Sequence, residues 1–236
     1  MPHRILTPNT HSEETLEIAH DLLPPGYELV QAPHGRPEFW ELLKDTEFYI
    51  GAGQFKHGPE FYAQAPKLKL VQTLSAGYNT YDLEAARAAG VPICNNGGAN
   101  ATAVAEHALM LMLAVSRRLT WLHEGVVSGR WRGNDFNSAK LSELEDKTLG
   151  IVGLGNIGKK VARRAAGFDM KIQYYDIKRL TEDQEDALGV RFVLYDELLK
   201  TSDVVTLHVP LDDTTRKMIG ARELSLMKRD AIIVNT

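Results

Sequence analysis

The sequence predicts an α/β protein made of two doubly wound parallel sheets, one over residues 1–98 and one over residues 99–236. Three observations predict it. Short apolar, strand-like runs alternate with helix-like segments along most of the chain, as in parallel sheets with crossover helices. The length of 236 residues suits one large domain or two smaller ones. Hydrophobic residues at 44% and charged residues at 25% place the chain among ordinary globular proteins, able to fill two cores.

In the first half, "RILT" opens as a strand, and Thr10 with Glu13 predicts a capping box for the helix "SEETLEIAHDLL". "YELV" follows the turn "PPG", and "EFYIGA", "LKLVQTL" and "VPIC" are three further strands. Between the last two, "YDLEAARAAG" reads as a helix closed by Gly90 at its C′ position. Cys94, in the last strand, is expected to behave as a small buried hydrophobe. It is the only cysteine, which excludes an intrachain disulfide and fits a reducing, cytoplasmic setting.

The second half starts with one long helix, N-capped by Asn100 and running through "ATAVAEHALMLMLAVSRRLTWLHEGVVSG". Its middle is apolar almost all round, which predicts burial on several sides, against both domains or a second subunit. The apolar run Ala108–Val115 is far short of the ~20 residues of a membrane span. The N-terminus has no apolar core of signal-peptide length. Formal net charge is -4, so no concentrated basic surface points to a nucleic-acid partner. Arg117-Arg118 and Arg163-Arg164 read as solvated helix faces, and no metal site is expected. The polar stretch "RWRGNDFNSAKLSELEDK" is a connection, with Gly129 and Trp131 as its anchors.

The chemistry concentrates in "TLGIVGLGNIGKKVARRAAGFDMKIQYYD". A strand leads into Gly153, Gly155 and Gly158 as G-x-G-x-x-G, a helix opens at once, and a second strand ends in Asp176. Gly153 lets the chain turn sharply, Gly155 lets a pyrophosphate approach the backbone, and Gly158 lets helix and strand pack closely. The helix N-terminus offers N–H donors and a positive dipole to phosphates. Asp176 can accept from both hydroxyls of an adenosine ribose and would repel a 2′-phosphate, so NAD is expected over NADP. Lys178 and Arg179 leave a small opening for NADP, but solvated loop charges are favoured as the explanation of that pair. A lone glycine motif is weak, but strand, helix, second strand and terminal acid all agree here.

Further strands follow in "VRFV", "SDVVTLHVPL" and, after the helix "RELSLMKRD", in "AIIVNT". Strand ends on this edge line the crevice. His208, Val209, Pro210 and Thr215 are therefore expected beside the adenosine or ribose, and Thr236 beside the nicotinamide ribose. For His208 a backbone contribution is favoured over catalysis.

"APKLKLVQTLSAGYNTYDLEAARAAGVPICNNGGANATAVAEHALMLMLAVSRR", "GIVGLGNIGKKVA", "YYD" and "SDVVTLHVPLDDTTRKMIG" together resemble the D-isomer-specific 2-hydroxyacid dehydrogenases. The resemblance covers most of the chain from about Ala65. It implies a flavodoxin-like substrate domain followed by a Rossmann NAD-binding domain, a homodimer, and hydride transfer between NAD and a small 2-oxo or 2-hydroxy acid. It implies that the backbone of Ser75, Ala76 and Gly77 holds the substrate carboxylate, as an anion-binding nest could. Read from residues alone, "SAGYN" is equally an ordinary turn. The resemblance also implies that Tyr78 and Val104 touch the cofactor and that Asn156 and Ile157 give backbone contacts to the pyrophosphate.

In that family an arginine follows the strand matching "AIIVNT", with a glutamate and a general-acid histidine further on. All three would lie past Thr236, and none of the eight histidines present matches a catalytic position. Five strands are countable from Thr148 where a six-stranded order 3-2-1-4-5-6 is expected. The expectation is an N-terminal part of a longer enzyme, its Rossmann domain cut after the fifth strand, with no turnover by this chain alone. Two other readings stay open: an NAD-sensing, corepressor-like binding module, and a formate- or phosphite-type dehydrogenase.

Overall fold

The computed structural model describes residues 2–8, 11–51, 55–130 and 139–236. They divide into two compact units, Met1–Ala99 and Asn100–Thr236.

The first unit runs β1 (His3–Thr7), α1 (Glu13–Leu22), β2 (Tyr27–Gln31), α2 (Pro37–Leu43), β3 (Phe48–Gly51), α3 (Pro59–Ala63), β4 (Leu70–Thr73), α4 (Leu83–Ala88) and β5 (Ile93–Cys94). The sheet order is β2-β1-β3-β4-β5 with every pairing parallel. The order reverses between β1 and β3, which makes their C-terminal ends the switch point of this sheet. Leu6, Phe39, Leu43, Tyr49, Phe61 and Val71 fill the core. Each such buried side chain contributes about 1.5–3 kcal/mol relative to exposure.

Two local expectations change here. Thr10 lies outside the described residues. The cap on α1 is Ser12, whose Oγ accepts from the Thr15 N–H at 3.3 Å. Cys94 is exposed, because β5 is a two-residue strand at the sheet edge. The expected αL glycine after α4 is present: Gly90 has φ 72° and donates to the Arg87 carbonyl.

The second unit starts with α5 (Ala101–Ser116) and α6 (Leu119–Val127), not with one continuous helix. Arg118 sits at φ 49°, ψ 48° between them, a left-handed conformation that costs a non-glycine residue about 1–2 kcal/mol. The Ser116 carbonyl accepts from the Ser142 N–H at 3.0 Å in place of the next helical turn. That bond reaches across 26 positions, so propensity read along the helix does not reveal it. Asn100 stands at the start of α5, but its side chain makes no capping bond. Gly129 closes α6 at φ 75°, whereas Trp131 lies outside the described residues.

Then follow β6 (Thr148–Val152), α7 (Asn156–Ala165), β7 (Lys171–Tyr175), α8 (Glu182–Leu188), β8 (Arg191–Phe192), α9 (Tyr195–Thr201), β9 (Val204–Leu207), α10 (Ala221–Leu226) and β10 (Ile232–Asn235). The sheet order is β10-β9-β6-β7-β8, again with every pairing parallel. In order of appearance within the unit this is the reverse of 3-2-1-4-5. The switch point lies between β6 and β9. Ala105, Ala108, Leu109 and Met112 of α5 share a core with Val161, Ala162 and Ala165 of α7. The alanines let the two backbones approach closely. Arg164 reaches Glu106 on α5 at 3.0 Å, so it is paired, not simply solvated. β10 is an edge strand, with Ile233 37% exposed. No helix among the described residues is long and apolar enough to cross a membrane.

Candidate functional site

The turn from β6 into α7 is shaped by its three glycines. Gly153 has φ 91°, and a Cβ there would lie 2.6 Å from the His208 carbonyl oxygen. A Cβ at Gly158 would lie 2.3 Å from the Gly153 carbonyl oxygen. Both positions are closed to any side chain by backbone atoms. Gly155 is the opposite case: a Cβ there would meet nothing within 4 Å. It is the residue before α7, and no side chain caps that helix. The N–H groups of Asn156 and Ile157 therefore belong to the unsatisfied first turn of a helix that faces open space. Such a turn is a cradle for an anionic group.

Asp176 lies one residue past β7. Its Oδ2 accepts from the Leu154 N–H at 2.7 Å, and its Oδ1 accepts from the Lys178 N–H at 2.9 Å. The acid expected at the ribose is thus tied to the glycine turn itself, 22 residues upstream in sequence. Each oxygen keeps further lone-pair capacity for hydroxyl donors.

His208 extends β9, its N–H donating to the Val152 carbonyl at 2.8 Å. Its Nε2 lies 2.9 Å from Thr206 Oγ1, and its buried Nδ1 has no partner among the described residues. Burial lowers its pKa to about 4. A neutral, enclosed imidazole has no proton to give at neutral pH, so the geometry supports a backbone role: the carbonyl walls the glycine turn. Val209 adds its Cγ1 to that wall. The Thr215 hydroxyl donates to the Pro210 carbonyl and accepts from the Asp212 N–H. It holds the loop in shape and is already occupied by it. Asn235 pairs with Leu207, so Thr236 follows at the register position beside His208.

The C-terminal edge of this sheet thus gathers Gly153, Gly155, Asn156, Ile157, Gly158, Asp176, His208, Val209 and Thr236. Val104, half-buried in the first turns of α5, is joined to none of them by a hydrogen bond. Arg179 was expected as a solvated loop charge. Its Nε donates to Glu185 Oε1 at 2.9 Å, and its guanidinium lies 5.2 Å from the Phe192 ring centroid. The sequence carries no signal for that partner, since Glu185 is one of four acids between Glu182 and Asp186.

In the first unit, Ser75, Ala76, Gly77 and Tyr78 follow β4. The Ser75 carbonyl accepts from the Asn96 N–H at 3.1 Å, and the Ala76 carbonyl accepts from Asn95 Nδ2 at 2.8 Å. Ser75 Oγ donates to the Gly77 carbonyl at 2.8 Å. The carbonyls are thus tied into the unit. None of residues 75–79 has a positive φ, so the alternating left- and right-handed backbone of an anion nest is not formed here. Tyr78 is 43% exposed. Among the described residues no group of three His, Cys, Asp or Glu could hold a metal ion.

A family profile described as "D-isomer specific 2-hydroxyacid dehydrogenase, NAD binding domain" matches residues 109–236, more than half of the chain. A glyoxylate reductase of Thermococcus litoralis is 40% identical over 200 residues, covering 83% of this chain and 60% of that protein. The crystal structure of a D-lactate dehydrogenase from Aquifex aeolicus, complexed with NAD and lactic acid, superposes with a TM-score of 0.85 at 28% identity. That match covers 99% of this chain and 68% of the other. An NAD-dependent formate dehydrogenase from Staphylococcus aureus, in complex with NAD, gives a TM-score of 0.85 at 30% identity, covering 99% and 73%. The chain spans about three-fifths of the length of the curated relatives it matches.

Proposed function

The chain belongs to the D-isomer-specific 2-hydroxyacid dehydrogenases, and from that membership we propose that the whole protein reduces a small 2-oxo acid of the glyoxylate, hydroxypyruvate or pyruvate kind with NAD as redox partner. The observation that carries this is the open turn at Gly155, flanked by two closed glycines and tied to Asp176.

Those residues fit a dinucleotide. The mouth at Gly155 leaves room against the backbone, and the N–H groups of Asn156 and Ile157 would receive the pyrophosphate. Asp176 would accept from the ribose hydroxyls, its orientation already set by Leu154. The His208 carbonyl, Val209, Pro210 and Thr236 would line the same edge. Tyr78 and Val104 would make the remaining contacts. When bound, NAD supplies the hydride donor and acceptor. Ser75, Ala76 and Gly77 would hold the substrate carboxylate by backbone N–H groups, their carbonyls being engaged elsewhere. His57 and His208, both lowered by burial to about 4, are unsuited to donate a proton at neutral pH. Cofactor binding is assigned to this chain.

The equal likeness to a formate dehydrogenase favours a second reading, the same hydride chemistry on formate. We also propose a homodimer, because α5 and α6 leave Met110, Val115, Val126 and Val127 exposed. A monomeric mass in light scattering overturns it. For the main reading, calorimetric titration of the chain with NAD is expected to show one site. A panel of glyoxylate, hydroxypyruvate, pyruvate and formate with the whole protein then names the substrate class. Absence of NAD binding would sink the proposal.

A further inference from the structure

The β7–α8 connection holds more than Asp176. Lys178 and Arg179 follow it, two cations of the kind that accept a ribose 2′-phosphate. Arg179 lies three positions past Asp176, which limits their Cα separation to about 11 Å. Yet the arginine is committed elsewhere. Its Nε and Nη2 reach the two oxygens of Glu185 at 2.9 and 3.4 Å. The Glu185 side chain is only 10% exposed, and Tyr174, fully buried, donates its hydroxyl to the same carboxylate at 2.9 Å. The Tyr174 oxygen in turn accepts from the Leu180 N–H at 2.8 Å. The guanidinium also lies over the Phe192 ring, 5.2 Å from its centroid. The backbone on both sides of Arg179 is fixed as well, through Lys178 N–H on Asp176 and Leu180 N–H on Tyr174.

We propose that Glu185 is a positioning residue for cofactor selectivity: it binds the Arg179 guanidinium and so withholds it from the 2′-phosphate of NADP. The inference rests on the assignment of the turn at Gly153–Gly158 as the dinucleotide site. Selectivity then has two independent parts. Asp176 repels the phosphate, and Glu185 removes a cation that would attract it. Lys178, whose side chain has no ion pair among the described residues, would give a residual NADP affinity. Breaking the Glu185 pair releases an arginine with a planar fork suited to phosphate. A Glu185→Gln change keeps the shape and a partner for Tyr174 while removing the charge that holds Arg179.

The test is the dissociation constants of NAD and NADP for the full chain, measured by titration. For Arg179→Ala both constants are expected within about twofold of the parent, because the arginine is idle. Glu185→Gln is expected to tighten NADP on the order of tenfold, the scale of one charge-assisted hydrogen bond, with NAD unchanged. Adding Arg179→Ala to Glu185→Gln should abolish the gain. A clear loss of NADP affinity in Arg179→Ala overturns the proposal, as does a gain in Glu185→Gln that survives removal of the arginine, or no gain at all. Should Glu185→Gln fail to fold, Ile177→Arg serves instead. Ile177 is 97% exposed, so an unheld arginine there is tolerated and should tighten NADP comparably; no tightening also counts against the proposal. Loss of NAD binding in the parent chain would fault the site itself, whereas silent variants with intact NAD binding fault only the role of Glu185.

Discussion

Each unit lays five parallel strands in a reversing order, yet the connection leaving its first strand differs. In the first unit β1 gives way to Pro8 and then to a helix whose start is satisfied by its own Ser12. In the second, β6 runs directly into Gly153, and α7 starts with no side-chain cap. A helix N-terminus that is already capped has spent a donor. One left bare, behind a glycine that keeps the approach clear, is available to a ligand. Layer architecture alone therefore does not place a nucleotide site. The feature we propose for the ligand is the open approach at Gly155 in front of an uncapped helix.

The strongest way to test that contrast is to close the turn from inside. Gly158→Ala sets a Cβ against the Gly153 carbonyl and should destabilise the second unit by about 3 kcal/mol, leaving the first unit intact. Hydrogen exchange read separately on β6 and on β1 checks this. Equal loss of protection in both would show that the units do not fold independently. Next comes closing the turn from outside. Gly155 has an ordinary φ of -76° and open space around it, so Gly155→Val should fold with an unchanged thermal midpoint. Its NAD affinity should nevertheless drop by roughly a hundredfold, since the pyrophosphate loses its approach. Retained affinity in that variant would disconnect the open turn from the cofactor.

The first unit also carries a buried polar pair. His57 is fully buried, bonded at 2.7 Å to Tyr49 Oη and stacked at 4.3 Å on Tyr81. Tyr49→Phe leaves the His57 Nε2 without that partner and should cost about 2 kcal/mol with no effect on NAD binding, measured by denaturant unfolding and titration. A dependence on pH is shared by both units. His57 and His208 are lowered by burial to about 4, against about 6.5 in an unfolded chain. The unfolded state takes up protons first on acidification, so stability is expected to decline from about pH 6.5 down to pH 4. Histidine resonances titrating near 4 would agree; a midpoint near 6.5 for either would refute its burial.

Much of the fold was legible because its signals are local. Alternating strand and helix runs gave both sheets, and Gly90 was readable as a left-handed stop. The glycine spacing with Asp176 marked the turn proposed for the nucleotide, since a turn, a bare helix start and a strand end all lie within one short stretch. The family followed from those same motifs, which residues 109–236 match. Other features depend on partners remote in sequence. Helix propensity ran unbroken through Arg117-Arg118, but the bond from Ser142 to the Ser116 carbonyl divides α5 from α6. Cys94 read as core until the sheet order put β5 at an edge. The sequence by itself determined the glycine turn that we propose for the dinucleotide, because glycine conformation is a property of single residues. Only the tertiary structure decided that Leu154 orients Asp176 and that Glu185 holds Arg179, because those bonds exist only after the strands that carry them are side by side.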